Sequence, residues 1–151
     1  MQAAPVPKTQ VACQLLERAI ELHLRGDSYY ASLHLGGAAE ELLSVTAREL
    51  GIEPTFDQMK KAMVAISKPS TKLEEEAIDK WAHDRMNEAK NSVKHKRGAR
   101  DVSVAFAPEE ESYDVIDRAI STYYQLFSAL ELRHIASIQD FDERRRSEQT
   151  R

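Results

Sequence analysis

The sequence predicts an all-α fold, an up-and-down four-helix bundle with one extra short helix. Apolar residues recur at intervals of three and four over most of the chain, which is typical of helices with one buried face. Each of the five prolines falls in a gap between these helical patterns, where the missing N–H of proline disrupts no helix. At 151 residues, the chain is long enough to form one domain with its own core.

The first two helices are predicted to form a hairpin. An apolar face defines a helix over residues 8–25, and Gly26 is expected to end it in a left-handed conformation. Asp27 or Ser28 can cap the second helix, which ends at Gly51. Because the connection is so short, we expect the two helices to be antiparallel neighbours.

Two further helices follow the hairpin. The extra short helix runs over residues 56–67 and lies between two prolines. A long, charged helix follows and continues to about Lys96, just before a glycine. Its N-cap is predicted to be one of two hydroxyl residues, Ser70 or Thr71.

The last third of the chain is predicted to contain a connector and one long helix. Residues 101–106 alternate apolar and polar side chains, but a single short strand has no partner, so an extended connector on the bundle surface is expected. A final helix then runs from Pro108 through Phe141. The predicted organisation is a flexible N-terminus, a single domain and a frayed charged tail: residues 1–7, 8–141 and 142–151.

Composition restricts the function classes. The formal net charge is −4, so a histone-like role is excluded and any attraction for nucleic acid must come from a local basic patch. The single cysteine, Cys13, cannot form an intramolecular disulfide, which suits a reducing compartment. No secretory signal or membrane-spanning run is evident, so we expect a soluble, cytoplasmic protein.

Residues 90–100 are the strongest candidate for chemistry. On a helix, Asn91 and His95 fall on the side opposite the core face, so His95 is expected to face water or another subunit. Lys90 lies on the flank and Lys94 between the two, so two amines, an imidazole and an amide can converge. This set suits metal-free phosphodiester chemistry, because a histidine can move a proton and cations can stabilise charge on phosphorus. The segment has five cations and no acid: Lys90, Lys94, Lys96, Arg97 and Arg100.

The alternative reading of this segment is structural. A basic run at the end of a helix complements the helix dipole and can simply be solvated. Spacing alone favours this structural interpretation.

Three segments resemble one family. The pattern Lys90-Asn91-x-x-Lys94-His95 resembles the Arg-Asn-x-x-Lys-His form of the Arg-x4-6-His motif of HEPN domains. Residues 33–43 and 113–120 are similar to the second and last helices of small bacterial and phage HEPN-like proteins, in the same order. The resemblance spans about residues 12–130 and implies a bundle of the HEPN type.

The resemblance implies an activity and an assembly. Many members are dimeric, metal-independent endoribonucleases of toxin-antitoxin and phage-defence systems, and others are inactive modules that bind RNA or protein. By resemblance, His95 would be general acid or base at the 2′-hydroxyl or the leaving 5′-oxygen, and Asn91 would orient the phosphate. Lys90 stands where the family has Arg, and lysine lacks the bidentate fork that grips a phosphate. The remaining cations would bind substrate: Lys94, Lys96, Arg97 and Arg100.

Two partner hypotheses follow from the resemblance. In the leading one, a homodimer brings two copies of His95 together across a basic cleft that binds RNA. In the rival one, the chain is a non-catalytic module that binds an antitoxin, a nucleotidyltransferase or a phage component.

Other motifs receive structural interpretations. Gly36 and Gly37 are read as a site of close helix packing, and the glutamates that follow as ion-pair or capping residues. The spacing Glu131-x-x-His134 occurs in di-iron sites, but only one copy is present, and His134 continues an apolar stripe as a core or interface histidine. Nothing resembles a phosphate-binding loop, a dinucleotide fingerprint, a zinc cluster or a nucleophile elbow, so no cofactor is predicted.

Overall fold

The computed structural model describes residues 3–68 and 74–150, and its regular elements within these ranges are all helical. The predicted all-α fold class is confirmed. The N-caps proposed at Ser70 and Thr71 lie outside the described residues. The helices are α1 (Lys8–Arg25), α2 (Tyr29–Glu49), α3 (Thr55–Ser67), α4 (Glu75–Lys94), α5 (Pro108–Phe127) and α6 (Ser137–Gln149).

The boundaries of the first two helices follow from local backbone chemistry, as predicted. Gly26 has φ 66° and donates its N–H to the carbonyl of His23, which ends α1 in a left-handed turn. Ser28 accepts a hydrogen bond from the N–H of Ala31 and caps α2. Gly51, with φ 71°, follows the end of α2. The predicted hairpin is confirmed, because α1 and α2 pack along each other.

The main core lies between α1, α2 and α5, with a contribution from α6 and the segment that leads into it. Small residues such as Ala12, Ala19 and Ala39 let the helices approach closely, and Leu16 and Leu43 fill the space between them. The α3–α4 pair lies beside this core. A separate small cluster joins α3 to α4 through Val64, Ile78 and Ala82, and another joins α4 to α2 and α5 through Ala89, Leu33 and Val115.

The predicted helix from Pro108 to Phe141 is wrong, because it is broken into α5 and α6. A straight helix of that length would span about 51 Å, whereas α1 spans only about 27 Å. The chain instead leaves the helix at Phe127 and folds back, so that Ile138 and Phe141 are buried in the main core. The hydroxyl of Tyr123 donates to the carbonyl of Arg133 at 2.7 Å and holds the turn. The segment after Asp142 is helical as far as Gln149.

The connector between α4 and α5 forms no helix and has no strand partner among the described residues, as predicted. Val102 is 77% exposed, so most of the connector contacts little of the bundle. Phe106 at its end packs against the cluster formed by Leu33, Ala89 and Val115, and its ring contacts Tyr30. The connector is therefore anchored at its α5 end.

Candidate functional site

The predicted site residues lie where α4 ends. The helix stops at Lys94, two residues earlier than expected, and His95 has extended backbone angles. Consequently His95 does not continue the helical face of Asn91. His95 is exposed, as predicted. Gly98 has φ 149°, which favours glycine, and its carbonyl accepts a hydrogen bond from Lys96 Nζ.

The basic segment, residues 94–100, is exposed throughout. Its four cations have no ion pair with any carboxylate of the described residues. The nearest acid along the chain is Asp101, which accepts a hydrogen bond from the backbone N–H of Arg97 at 2.7 Å. The four charges are therefore available to a ligand: Lys94, Lys96, Arg97 and Arg100.

Lys90 does not join this exposed group, which corrects the prediction that its amine converges with the imidazole of His95. It is 8% exposed, and its Nζ donates to Glu40 Oε1 at 2.7 Å. Arg118 Nε donates to the other oxygen of the same carboxylate at 2.5 Å. Glu40 thereby fulfils the ion-pair role expected for one of the two adjacent glutamates, Glu40 and Glu41. Because its ammonium is held at Glu40 and lines a cleft that His95 does not line, Lys90 is not positioned to grip a phosphate at His95.

Gly37 makes this burial of Lys90 possible. A Cβ atom at Gly37 would lie 2.7 Å from Lys90 Cδ and 3.1 Å from Lys90 Cγ, both too close for an ordinary contact. Its neighbour Gly36 faces the core instead, where a Cβ would lie 3.3 Å from Ile116 Cγ1. The predicted close packing at the two glycines is confirmed, and at Gly37 the neighbour is a lysine stem.

A cleft of about 310 Å³ lies between α2, α3 and α4, hereafter the α2–α4 cleft. It brings together three of the predicted residues, Lys90, Asn91 and Lys94, but not His95 or the three cations that follow it. The other lining residues are Glu40, Glu41, Ser44, Val45, Arg48, Phe56, His83 and Asn87.

His83 is the histidine that lines this cleft, and sequence reasoning did not single it out. Its ring meets that of Phe56 edge-on at 5.7 Å, and its carbonyl accepts a hydrogen bond from Asn87 Nδ2 at 2.9 Å. His83, Asn87 and Asn91 are spaced at intervals of four. That spacing places the three side chains on one face of α4, and it is the sequence feature from which this cleft wall could have been predicted.

At the rim of the α2–α4 cleft, the positive charge of Arg48 is paired with the carboxylate of Asp57. Its guanidinium donates two hydrogen bonds of 2.8 Å to the carboxylate of Asp57. These hydrogen bonds hold the pKa of Asp57 below its usual value and raise the pKa of Arg48. The positive charge of Arg48 is thus already compensated.

Several other kinds of site are not found in the part of the chain that the structure describes. No group of three His, Cys, Asp or Glu side chains could hold a metal ion there. Glu131 and His134 are both exposed and lie between α5 and α6, so His134 is not a core histidine, and the interface alternative stays a prediction. Among the described helices, none has the length and apolar character needed to cross a bilayer. Comparisons with protein-family models, curated proteins and solved structures gave no match to this chain.

Proposed function

We propose that the basic segment binds RNA through its phosphates and that His95 supports metal-independent cleavage of the bound strand. The observation that carries this proposal is the cluster of four exposed, unpaired cations around an exposed histidine. Cations without internal partners can replace the counterions of a nucleic acid backbone without first breaking an ion pair in the protein. The net charge of −4 confines such binding to this end of α4.

Cleavage requires two proton transfers. As the 2′-hydroxyl attacks phosphorus, its proton passes to a base, and the leaving 5′-oxygen takes a proton from an acid. One imidazole in each chain supplies one of these roles, so we propose a homodimer of the HEPN type in which two copies of His95 face one cleft. Lys94 and Lys96 would stabilise the charge on phosphorus, because Lys90 is held by Glu40.

The binding step is tested with a labelled single-stranded RNA and fluorescence anisotropy at several salt concentrations. The triple variant Lys96→Gln, Arg97→Gln and Arg100→Gln is expected to bind more weakly. The slope of log K against log salt should become shallower by about 0.7 for each phosphate that the variant no longer neutralises.

The matched control for binding removes three exposed cations that lie outside the basic segment. They are Arg18 and Arg25 on α1 and Arg146 on α6. Its change in net charge is the same, so a general electrostatic effect would weaken both variants equally. Such equality, or no measurable binding by the unaltered protein, would contradict the proposal.

The cleavage step is tested by incubating RNA in EDTA with the unaltered protein and with His95→Ala. EDTA-resistant cleavage that is lost in His95→Ala and retained in His34→Ala is expected, since His34 is an exposed histidine on α2. Equal inactivity of all three proteins would remove the nuclease proposal and leave RNA binding.

A second candidate function is a non-catalytic module that binds a protein such as an antitoxin, a nucleotidyltransferase or a phage component. The observation in its favour is that Lys90, which stands where the HEPN motif has arginine, is buried in an ion pair with Glu40. Exposed apolar side chains on α3 and α4, including Ile66 at 76% and Trp81 at 51%, offer a contact surface. The anisotropy and EDTA experiments together discriminate the two functions, because RNA binding supports the first function and the absence of both RNA binding and cleavage leaves the second.

A further inference from the structure

The floor of the α2–α4 cleft carries an excess of buried positive charge. Glu40 is 1% exposed and contacts two cations, Lys90 and Arg118, which are 8% and 7% exposed. The three formal charges sum to +1, and the exposed carboxylate of Asp114, four residues before Arg118 on α5, offsets part of the charge of Arg118. Because an unmatched charge away from water is unfavourable, this group favours an anion beside it.

Lys90 is the member of this group that a ligand can reach. It lines the cleft, whereas Arg118 lies behind it, against the other side of Glu40. An ammonium group has three N–H bonds, and Glu40 is the one hydrogen-bond acceptor of Lys90 among the described residues. Phe56 lies beneath, with its ring centroid 5.2 Å from Nζ, and supplies no acceptor oxygen.

Ser44 provides an independent indication of a ligand. It lies one helical turn after Glu40 on the same wall and is 3% exposed. Its Oγ is buried and has no hydrogen-bond partner among the described residues. Most buried hydroxyl groups are paired, and of the three buried polar side-chain atoms without a partner among the described residues, Ser44 Oγ is the one beside the cleft, where a ligand can supply the partner.

The opposite wall offers further donors. Asn91 and Lys94 line the cleft, and neither side chain has a hydrogen-bond partner among the described residues. Glu41 is exposed at the rim and adds a negative charge, while Arg48 is neutralised by Asp57. The attraction for an anion is therefore concentrated inside the cleft, which favours a compact anionic group over a long polyanion.

We infer that the α2–α4 cleft binds a phosphoryl group, whose oxygens accept hydrogen bonds from Lys90, Asn91 and Lys94, and from Ser44 after rotation about its χ1 torsion. A tetrahedral phosphate presents oxygens in several directions and so can engage donors on two walls at once. The volume of about 310 Å³ admits a phosphate with a small organic part. The phosphate can come from a small molecule or from the end of an RNA strand. This inference does not depend on RNA binding by the basic segment.

The test uses the full chain with inorganic phosphate and a nucleoside 5′-monophosphate as probes, at constant ionic strength set by chloride. We expect both to raise the Tm of the unaltered protein and to bind in calorimetry. Ser44→Ala should weaken binding about tenfold, since it removes a hydrogen bond to a charged ligand. Without phosphate it should unfold at the same or a higher Tm, because an unpaired buried hydroxyl is removed.

The control is Ser32→Ala on the same helix. Ser32 is also buried, but its hydroxyl donates to the carbonyl of Ala19 at 2.8 Å, away from the cleft. This variant should lower the Tm and leave phosphate affinity unchanged. Equal affinities of the unaltered protein and Ser44→Ala, or no binding of either probe and of a 5′-phosphorylated oligoribonucleotide, would overturn the inference.

Paired oligoribonucleotides with a 5′-phosphate or a 5′-hydroxyl separate the two sources. Preference for the phosphorylated strand that is lost in Ser44→Ala assigns the cleft to an RNA end. Binding of the free nucleotide without such a preference assigns it to a small molecule. Neither outcome depends on cleavage. The triple variant Lys96→Gln, Arg97→Gln and Arg100→Gln should retain nucleotide binding even if it no longer binds RNA.

Discussion

At the scale of single residues, one glycine decides where a charge lies. The stem of Lys90 crosses α2 at Gly37, and its ammonium reaches Glu40, fifty positions away in the sequence. Arg118 approaches the same carboxylate from α5. A buried carboxylate shared by two cations tolerates little change, because its removal leaves two buried cations without an anion.

Gly37→Ala should lower the free energy of unfolding by about 1–3 kcal/mol, because the new methyl group overlaps the stem of Lys90. Gly36→Ala should cost less, since its nearest contact is 3.3 Å and alanine favours the helix. In a Lys90→Ala background, Gly37→Ala should become neutral or stabilising. Chemical denaturation measures this double-mutant cycle, and additive effects would contradict the contact.

Glu40→Gln should destabilise the protein by about 3–5 kcal/mol, because it leaves two buried cations without their anion. Glu41→Gln is the matched control on the neighbouring, exposed position and should change stability by no more than about 0.5 kcal/mol. Thermal and urea unfolding compare the two variants. Similar losses in both would show that the buried charges are not coupled.

At the scale of elements, the return of the chain after α5 completes the core. Ile138 and Phe141 carry the apolar face of α6 onto α1, and the ring of Phe141 stacks on Tyr113 at 5.1 Å. The apolar stripe along residues 116–141 is real, but two helices share it. Burial of that stripe requires the turn between them.

Phe141→Ala should lower the free energy of unfolding by about 3–5 kcal/mol, because Phe141 is 2% exposed and its removal leaves a cavity. Phe127→Ala, at a 45% exposed position of the same stripe, should cost less than about 1 kcal/mol. Urea denaturation of both variants tests the placement of α6. A larger loss in Phe127→Ala would contradict it.

At the scale of the whole molecule, charge is distributed unevenly and one buried histidine couples stability to pH. Exposed acids gather in the first turns of α4 and α5, whereas a run of four exposed cations without ion pairs among the described residues lies at and after the end of α4. His23 is 4% exposed among the rings of Tyr29, Tyr113 and Phe141. Its Nδ1 lies 2.8 Å from Ser112 Oγ.

Burial, and secondarily Arg144, lowers the pKa of His23 below its ordinary value of 6.5. The unfolded chain therefore binds this proton more readily, and stability should fall as the pH drops from about 6.5 towards the lower pKa of the folded state. His23→Gln should flatten that part of the profile, whereas His34→Gln, at an exposed position, should not. Unfolding free energies between pH 7.5 and about 5 test this, and parallel profiles for the protein and His23→Gln would contradict it.

The sequence by itself determined the features that depend on neighbouring residues. The ends of α1 and α2 follow from Gly26, Ser28 and Gly51, because backbone conformation and capping act over one turn. The exposure of the basic segment also follows locally, because a run of charged side chains cannot be buried without partners.

Only the tertiary structure decided which charges remain available and how the final apolar stripe is buried. Lys90 and Lys94 lie in the same basic stretch of the sequence, yet Lys90 pairs with Glu40 and Lys94 has no ion pair among the described residues. The difference arises because Gly37 has no side chain and lets the stem of Lys90 cross α2. The break after Phe127 likewise depends on the length of α1, against which α6 must pack. Both outcomes depend on contacts between residues far apart in the chain, which local patterns do not specify.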